Sequence, residues 1–156
     1  MAGGYPQLEL DAQLCLPLYA ASRAITRRYG ELLAATGLTY PQYLTMLALW
    51  GGAPLTVGEI GARLHLDTGT LTPLLKRLEG SGLVVRHRDP ADERRVLVKP
   101  TADGLALRDR VCDVPFELAN SLGLSEAEGR QLYHLLHRIT DRLEALDPES
   151  AGRQAG

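Results

Sequence analysis

Residues 66–79 read LDTGTLTPLLKRLE, which is the pattern of an amphipathic helix with a defined start. Asp67 is a residue type that caps helix N-termini. The apolar positions after it fall on one helical face, and they are Leu71, Leu74, Leu75 and Leu78. The other face carries Thr68, Thr70, Thr72, Lys76 and Arg77. Such a helix suits a duplex, because its N-terminal end can meet base edges while its flank meets phosphates.

The charge is distributed unevenly along the chain. The 156 residues are 45% hydrophobic with a net charge of -2, which is typical of one folded domain. Residues 76–99 nevertheless contain seven Lys and Arg against four Asp and Glu, whereas residues 100–156 contain six against ten. A local basic stripe on an acidic chain indicates a nucleic-acid surface, although a solvated charged face has the same composition.

Helical patterns dominate the first 80 residues. Apolar periodicity predicts a helix over residues 14–33 and a second over residues 41–50, which ends at a glycine pair. Thr56 and Glu59 form a capping box for a third helix, and the Asp67 helix follows within a few residues. Two short helices joined this tightly resemble a helix-turn-helix.

The period changes after the second helix of this pair. Residues 83–88 and 95–99 are rich in β-branched residues, and the turn cluster at residues 89–92 separates them. This pattern predicts a β-hairpin whose tip carries Arg94 and Arg95. A hairpin directly after a helix-turn-helix is the wing of a winged helix.

The C-terminal third is predicted to be helical again. Thr101 can cap a helix to about Asn120, and Ser125 with Glu128 forms a capping box for a final helix. That helix has an apolar stripe formed by Leu132, Leu135, Leu136, Ile139, Leu143 and Leu146. These helices either cover their own core or pack on a second copy of the chain. A homodimer suits DNA, because two recognition helices about one helical turn apart match a palindromic site.

The predicted fold class is therefore mainly α with a small β-wing. We expect one domain over residues 1–156. Within it we expect a winged helix at about 53–100 and dimerisation helices at about 13–36 and 101–147.

Cys15 lies two residues before Pro17. Proline is tolerated only in the first turn of a helix, so Cys15 is predicted at or just inside the helix N-terminus. The partial positive charge and free N–H groups at that end favour a thiolate. Candidate hydrogen-bond donors to the thiolate are Tyr19, Tyr29, Tyr40 and Tyr43. An inert buried thiol is the alternative.

Cys112 falls in the helix predicted from Thr101, beside Val111 and Val114. This position predicts packing in the core. A resolving partner for oxidised Cys15 is the alternative, and only the distance between the two thiols would decide between them.

Other chemistry is poorly supported by the sequence. His134 and His137 are three residues apart on the last helix, but no acidic or cysteine ligand completes a metal set. The chain has no phosphate-binding glycine loop, zinc motif or nucleophile elbow, so we expect no metal, no cofactor and no ordinary enzyme activity. The absence of a membrane-spanning apolar run and of a signal pattern predicts a cytoplasmic protein.

Three blocks together resemble the MarR family of winged-helix regulators, and within it the organic-hydroperoxide sensors (OhrR). They are Gln13-Leu14-Cys15 with Leu18-Tyr19, the stretch LTYPQY at residues 38–43, and residues 66–79. The resemblance extends from about Gln13 to Leu146 and includes Asp92-Glu93-Arg94 at the wing. It implies a homodimeric repressor, not an enzyme, that binds an inverted repeat in double-stranded DNA.

The resemblance also implies roles for particular residues. Cys15 would react with organic hydroperoxides, and the oxidised thiol would condense with a small thiol or with Cys112. Arg94 would enter the minor groove, and the major groove would be met by Thr68, Thr70, Lys76 and Arg77. The tyrosines around the thiol, some from the partner subunit, would be Tyr19, Tyr29 and Tyr40. Leu16 stands where the family usually has phenylalanine.

Two other functions fit parts of the pattern. A ligand-sensing repressor of the same family would bind an aromatic or phenolic molecule in the dimer cleft, with Cys15 a bystander. A thiol peroxidase would turn over catalytically, but it would not need a basic wing or a recognition helix.

Overall fold

A computed structural model of the protein describes residues 4–146. Its helices are α1 (Cys15–Leu32), α2 (Tyr40–Gly52), α3 (Val57–Leu64), α4 (Thr68–Gly80), α5 (Ala102–Arg110), α6 (Val114–Leu122) and α7 (Glu126–Glu144). Its strands are β1 (Leu55–Thr56), β2 (Val84–Asp89) and β3 (Asp92–Pro100). Short 3₁₀ turns lie at Pro6–Leu8, Leu10–Ala12 and Ala34–Thr36. The chain divides into two compact units, one ending at Leu118 and one beginning at Ala119. Residue 147, the end of the predicted dimerisation range, lies outside the described residues.

The predicted helix-turn-helix is confirmed as α3 and α4. Thr56 and Glu59 form the expected capping box at the start of α3. The turn is tight, because the Leu66 N–H donates to the Gly61 carbonyl at 2.9 Å. A Cβ atom at Gly61 would lie 2.8 Å from the Leu66 carbonyl oxygen, so only glycine permits this approach without a shift of the backbone.

The predicted wing is confirmed as the antiparallel hairpin of β2 and β3, in which Arg86 faces Val98. The structure adds a third strand, because β1 pairs with β3 through Leu55 and Val98. The sheet order is therefore β1-β3-β2, which makes β2 an edge strand. The sequence did not indicate β1, because two residues are too few to show a period.

The core of the first unit lies between α4, α2 and the sheet. The four leucines of α4 are buried as predicted: Leu71, Leu74, Leu75 and Leu78. They belong to one apolar cluster with Tyr43, Met46, Leu49, Ile60, Val84 and Val98. The buried hydroxyl of Thr45 donates to the Pro41 carbonyl at 2.9 Å, so it carries no unpaired polar cost into this core.

The start of α5 is held closely against the base of the wing. The Thr101 hydroxyl donates to the Gly82 carbonyl at 2.6 Å, and the Thr101 N–H donates to the Leu83 carbonyl at 3.0 Å. From α2, the Trp50 indole Nε1 donates to the Gly104 carbonyl at 2.9 Å. These bonds join the wing base, α2 and α5 into one assembly.

The single helix predicted from Thr101 to about Asn120 is wrong. Thr101 does cap a helix, but α5 ends at Arg110 and α6 begins at Val114. Pro115 supplies the reason, because its ring would clash with the Val111 carbonyl in a continuous helix and it has no N–H to donate.

The burial predicted for Cys112 is also wrong. Cys112 lies exposed in the turn between α5 and α6, where its Sγ contacts the Asp109 carbonyl oxygen at 3.2 Å. Its neighbours Val111 and Val114 do enter the core. The turn directs the two valines inward and leaves the thiol at the surface.

Two long helices have no buried residue, and each belongs to a different unit. They are α1 and α7. On α7, which starts at the predicted Ser125–Glu128 capping box, the apolar stripe is largely exposed. In the described part of the chain, no helix has the length and hydropathy needed to cross a bilayer.

Candidate nucleic-acid interface and thiol site

The N-terminal end of α4 is fixed by its cap. The Asp67 carboxylate accepts the Thr70 N–H at 2.8 Å and the Thr70 hydroxyl at 3.0 Å. The backbone bond from Thr70 is the main cause that lowers the pKa of Asp67, and the hydroxyl bond adds to it. The cap therefore stays ionised at neutral pH, and it orients the first turn in which Thr68 and Thr70 are exposed.

The midline of the outward face of α4 has short side chains at two of its positions. Successive residues are rotated by about 100° around a helix axis, so the direction opposite the buried leucines is occupied by Gly69, Pro73 and Lys76. Arg77 and Thr70 lie to one side of this midline and are exposed. Gly69 and Pro73 carry no long side chain, which leaves room for another backbone to approach the helix. Neither residue was predicted from the sequence to have a role.

The wing tip is braced across its two strands. The Arg88 guanidinium donates to the Glu93 carbonyl at 2.7 Å, and Arg95 lies 3.7 Å from the Asp89 carboxylate. Asp89 also accepts the Ala91 N–H at 2.9 Å, which closes the turn. These contacts give the hairpin a defined end in spite of its exposure.

Arg94 extends from this braced tip. Its side chain is 92% exposed, and its Nε lies 3.3 Å from Asp92 Oδ1. Such a surface ion pair contributes little to stability, so a phosphate or a groove edge can replace Asp92 at small cost.

One contact joins the wing to α4 directly. Glu79 Oε2 accepts from Arg86 Nε at 2.9 Å and from Arg86 Nη2 at 2.5 Å. Glu79 Oε1 also accepts the Arg86 backbone N–H at 3.3 Å. The Arg86 side-chain hydrogen bond is the main cause that lowers the pKa of the Glu79 carboxyl. This pair was not predicted from the sequence, because its members are seven residues apart on different elements and share no local pattern.

Cys15 is the first residue of α1 and is exposed, so its predicted placement at the helix start is confirmed. The second part of that prediction, free N–H groups around the thiol, is mostly wrong. Pro17 has no N–H, and the Leu16 N–H already donates to the Gln13 carbonyl at 3.2 Å. The helix dipole still favours a thiolate, but further hydrogen-bond donors have to come from side chains.

Within one chain, the predicted tyrosines do not surround Cys15. Tyr29 is on the same helix, 14 residues further, which at ~1.5 Å per residue is about 21 Å along the axis. Tyr40 stacks on Tyr29, with ring centroids 4.0 Å apart and an angle of 12° between the planes. Tyr19 is one helical turn from Cys15, but its hydroxyl accepts from Arg23 Nη1 at 2.9 Å.

Tyr29, Tyr40 and Tyr43 form a separate aromatic cluster between α1 and α2. A capping box of Thr39 and Gln42 starts α2 there and sets the orientation of its first turn. Burial is the main cause that raises the pKa of each of the three phenols. For Tyr29, the neighbouring phenols and a hydrogen bond with Tyr40 raise the pKa further. The cluster therefore stays protonated at neutral pH and is able to donate hydrogen bonds.

An open, mostly apolar depression lies beside Cys15. It is lined by Leu10, Asp11, Ala12, Gln13, Leu14, Leu16 and Pro17. The Gln13 amide holds the preceding 3₁₀ turns by donating to the Gln7 carbonyl at 2.8 Å and the Glu9 carbonyl at 3.0 Å. The surface next to the thiol thus suits an apolar group better than a charged one.

Comparison with known proteins identifies the architecture. Residues 38–96 match the sequence model of the MarR family. The organic hydroperoxide resistance transcriptional regulator of Bacillus subtilis (strain 168) is 44% identical over 146 residues, which are 94% of this chain and 97% of that protein. The HTH-type transcriptional regulator TtmR of Methylorubrum extorquens (strain PA1) is 48% identical over 136 residues, which are 87% of this chain and 70% of that protein.

A solved structure shows the same fold on DNA. Reduced AbfR bound to DNA superposes with a TM-score of 0.73 at 36% identity, and the alignment covers 88% of this chain and 96% of that chain. The AbfR protein is from Staphylococcus epidermidis.

Proposed function

The chain belongs to the MarR family of DNA-binding transcriptional regulators, and we propose that it is a repressor released from its operator when an organic hydroperoxide oxidises Cys15. The observation that carries the proposal is the position of this thiol, which is exposed at the first residue of α1 beside an apolar depression. The relative from Bacillus subtilis, similar along nearly the whole chain, is itself named for organic hydroperoxide resistance.

The DNA-binding surface is assigned to α4 and the wing. Thr68 and Thr70 would meet base edges in the major groove, because they occupy the first turn that Asp67 holds in place. Lys76 and Arg77 would meet phosphates, and Arg94 would reach the adjacent minor groove. The net positive charge of residues 76–99 supports this assignment.

The repressor is proposed to act as a homodimer. In the N-terminal part, the side chains of Tyr5, Leu8, Leu10 and Leu14 are exposed, with Leu14 at 83%. On α7, an exposed apolar stripe includes Leu132, Leu135, Ile139 and Leu143. Apolar surface of this extent is uncommon on a monomer and marks an interface, and an operator that is an inverted repeat requires a symmetric partner.

A second copy also resolves the distance between Cys15 and the tyrosine cluster. Because Tyr29 is about 21 Å from Cys15 on the same helix, its phenol can approach the thiol only from the other subunit. We therefore assign the hydrogen bonds to the Cys15 thiolate to Tyr29 and Tyr40 of the partner subunit. Tyr19, one turn along α1, would contribute from the same chain once it leaves Arg23.

In the proposed chemistry, the Cys15 sulfur is oxidised and the hydroperoxide is reduced to an alcohol. The Cys15 thiolate attacks the terminal oxygen of the hydroperoxide; an S–O bond forms, the O–O bond breaks, and the organic part leaves as an alcohol after taking a proton. Cys15 becomes a sulfenic acid. A small thiol then forms a disulfide with it, and water leaves. The apolar depression favours hydroperoxides with an organic group over hydrogen peroxide.

A small free energy is sufficient to release the DNA. Added bulk at the start of α1 is accommodated poorly in a packed interface, where free volume is scarce. A shift of the two subunits would move both copies of α4 off their groove spacing. A fall in operator affinity of about 10²–10⁴ corresponds to roughly 3–5.5 kcal/mol of differential stability between the two states.

The test is a peroxide titration of DNA binding. The operator is represented by a duplex that the wild-type protein selects from a random-sequence pool. Cumene hydroperoxide should release wild-type protein and leave Cys15→Ser bound with unchanged affinity. Release of Cys15→Ser by the hydroperoxide would refute the redox role.

Cys112→Ser is the matched control. If a small thiol traps the oxidised form, Cys112→Ser should respond like the wild type. A Cys15–Cys112 crosslink between subunits on non-reducing electrophoresis, lost in Cys112→Ser, would instead identify Cys112 as the resolving thiol.

A further inference from the structure

The Glu79 carboxylate of the Glu79–Arg86 ion pair lies at an electrostatically unfavourable position. Glu79 lies in the last turn of α4, and a negative charge at a helix C-terminus is disfavoured by the helix dipole. The same helix presents its polar face to DNA in the proposed complex, where phosphates repel a carboxylate. The charge of Arg86, whose side chain is 32% exposed, is in turn compensated by Glu79. Both features reduce attraction to DNA, so the pair needs another explanation.

The geometry of the contact explains why Glu79 and Arg86 are paired. Glu79 contacts Arg86 through both the guanidinium and the backbone N–H, so the carboxylate holds the main chain of β2 as well as its side chain. Because β2 is an edge strand, this N–H has no further strand to pair with on that side. Only Ser81, Gly82 and Leu83 connect α4 to β2, and Gly82 has a φ of 74°. The pair therefore restrains the hairpin on the side of the sheet that faces α4.

We propose that Glu79 and Arg86 are positioning residues for DNA recognition. Their contact holds the wing at the angle to α4 at which one subunit places α4 in the major groove and Arg94 in the neighbouring minor groove. Arg86 itself touches no phosphate in this arrangement. The proposal rests on the DNA-binding part of the proposed function and is independent of Cys15.

The alternative, a direct phosphate contact by Arg86, predicts effects of opposite sign. If Arg86 contacts phosphate, Glu79→Gln removes a competing negative charge and should tighten binding. If the pair positions the wing, Glu79→Gln should weaken binding about tenfold even though it makes the surface more positive. Arg86→Gln should weaken binding by a similar factor, and the double variant by no more than either single change, because both remove one interaction.

Salt dependence separates the two roles a second time. Loss of a phosphate contact lowers the slope of log affinity against log salt by about one unit, whereas loss of a positioning contact leaves the slope unchanged. Arg86→Lys keeps the charge but offers a point charge in place of two coplanar donors. A phosphate contact predicts near wild-type binding for Arg86→Lys, and the positioning role predicts a loss close to that of Arg86→Gln.

The experiment measures the affinity of full-length protein for the selected duplex and for a random duplex of equal length, over a range of salt concentrations. Glu93→Gln is the matched control, because it removes the same charge at the nearby wing tip without touching the pair, and its binding should not fall. Thermal melts check that each variant is folded, which is expected because exposed ion pairs contribute little to stability.

The expected result is a roughly tenfold loss on the selected duplex, an unchanged salt slope and a smaller loss on the random duplex. Binding by Glu79→Gln as tight as wild type, or a slope lowered by one unit in Arg86→Gln, would overturn the positioning role alone. A wild-type protein that enriches no sequence from the pool would refute the DNA-binding role, and this proposal with it.

Discussion

Gly104→Ala tests how closely α5 must approach the wing base. The new Cβ would lie 2.0 Å from the Leu83 carbonyl oxygen, 3.1 Å from the Leu83 carbonyl carbon and 3.2 Å from the Pro100 Cβ. The oxygen belongs to the backbone and already accepts the Thr101 N–H at 3.0 Å, so it cannot rotate away. Ordinary contact begins near 3.4 Å, so the backbones must separate by more than 1 Å.

The expected cost follows from that displacement. Overpacking of a rigid site costs about 1–3 kcal/mol or more, and loss of the Thr101–Leu83 hydrogen bond adds about 1 kcal/mol. We expect the free energy of unfolding to fall by about 3 kcal/mol, which for a chain of this size lowers the melting temperature by roughly 10 °C. The wing base moves with α5, so operator affinity should fall as well.

The measurement is a thermal melt followed by circular dichroism, with urea unfolding at 25 °C as a second scale. Gly30→Ala is the matched control, because its Cβ would meet nothing within 4 Å on the exposed side of α1. An Ala there should stabilise the protein by about 0.5–1 kcal/mol through its helix propensity. A Gly104→Ala protein that melts within about 2 °C of wild type would contradict the packing argument.

Four further predictions concern the DNA surface, the phenols and the interface. Arg94→Ala should weaken operator binding by about 1–3 kcal/mol, and an unchanged affinity in equilibrium titrations would refute its minor-groove role. Lys76→Gln should lower the slope of log affinity against log salt by about one unit, and an unchanged slope would refute its phosphate contact. Burial raises the folded-state pKa of Tyr29 above its unfolded value of about 10. The stabilising contribution of the protonated phenol is therefore complete below pH 10 and is lost as the pH rises further. Tyr29→Phe should reduce this alkaline loss of stability, as measured by urea unfolding. Leu143→Asp should shift sedimentation toward a monomer, whereas Asp141→Lys, on the opposite side of α7, should not; a dimer that tolerates Leu143→Asp would exclude this stripe from the interface.

The elements of the winged helix could be predicted from sequence because their signals are local. The capping residues Thr56 and Asp67 act on N–H groups within three residues of themselves, and the leucines of α4 repeat at helical spacing. The hairpin is equally local, since its strands and its turn are contiguous. Such features are set by short-range stereochemistry and are readable before any tertiary contact is known.

The candidate thiol site was predictable only in part. Pro17 correctly placed Cys15 at the start of α1, because proline restricts a helix through its own ring. The same proline, together with the Leu16–Gln13 bond, removes N–H groups that the sequence argument had assigned to the thiolate. Pro115 likewise carried a readable stop signal for the helix from Thr101, and reading it would have moved Cys112 from the core to a surface turn.

The sequence by itself determined the helix-turn-helix, the hairpin, the outward polar face of α4 and the position of Cys15, since each depends on a contiguous stretch of the chain. Only the tertiary structure decided that Tyr29 stacks on Tyr40 far from the thiol of its own chain, and that Glu79 holds Arg86. These contacts join different elements, so they depend on how the elements pack. The spacing of residues along the chain does not predict that packing.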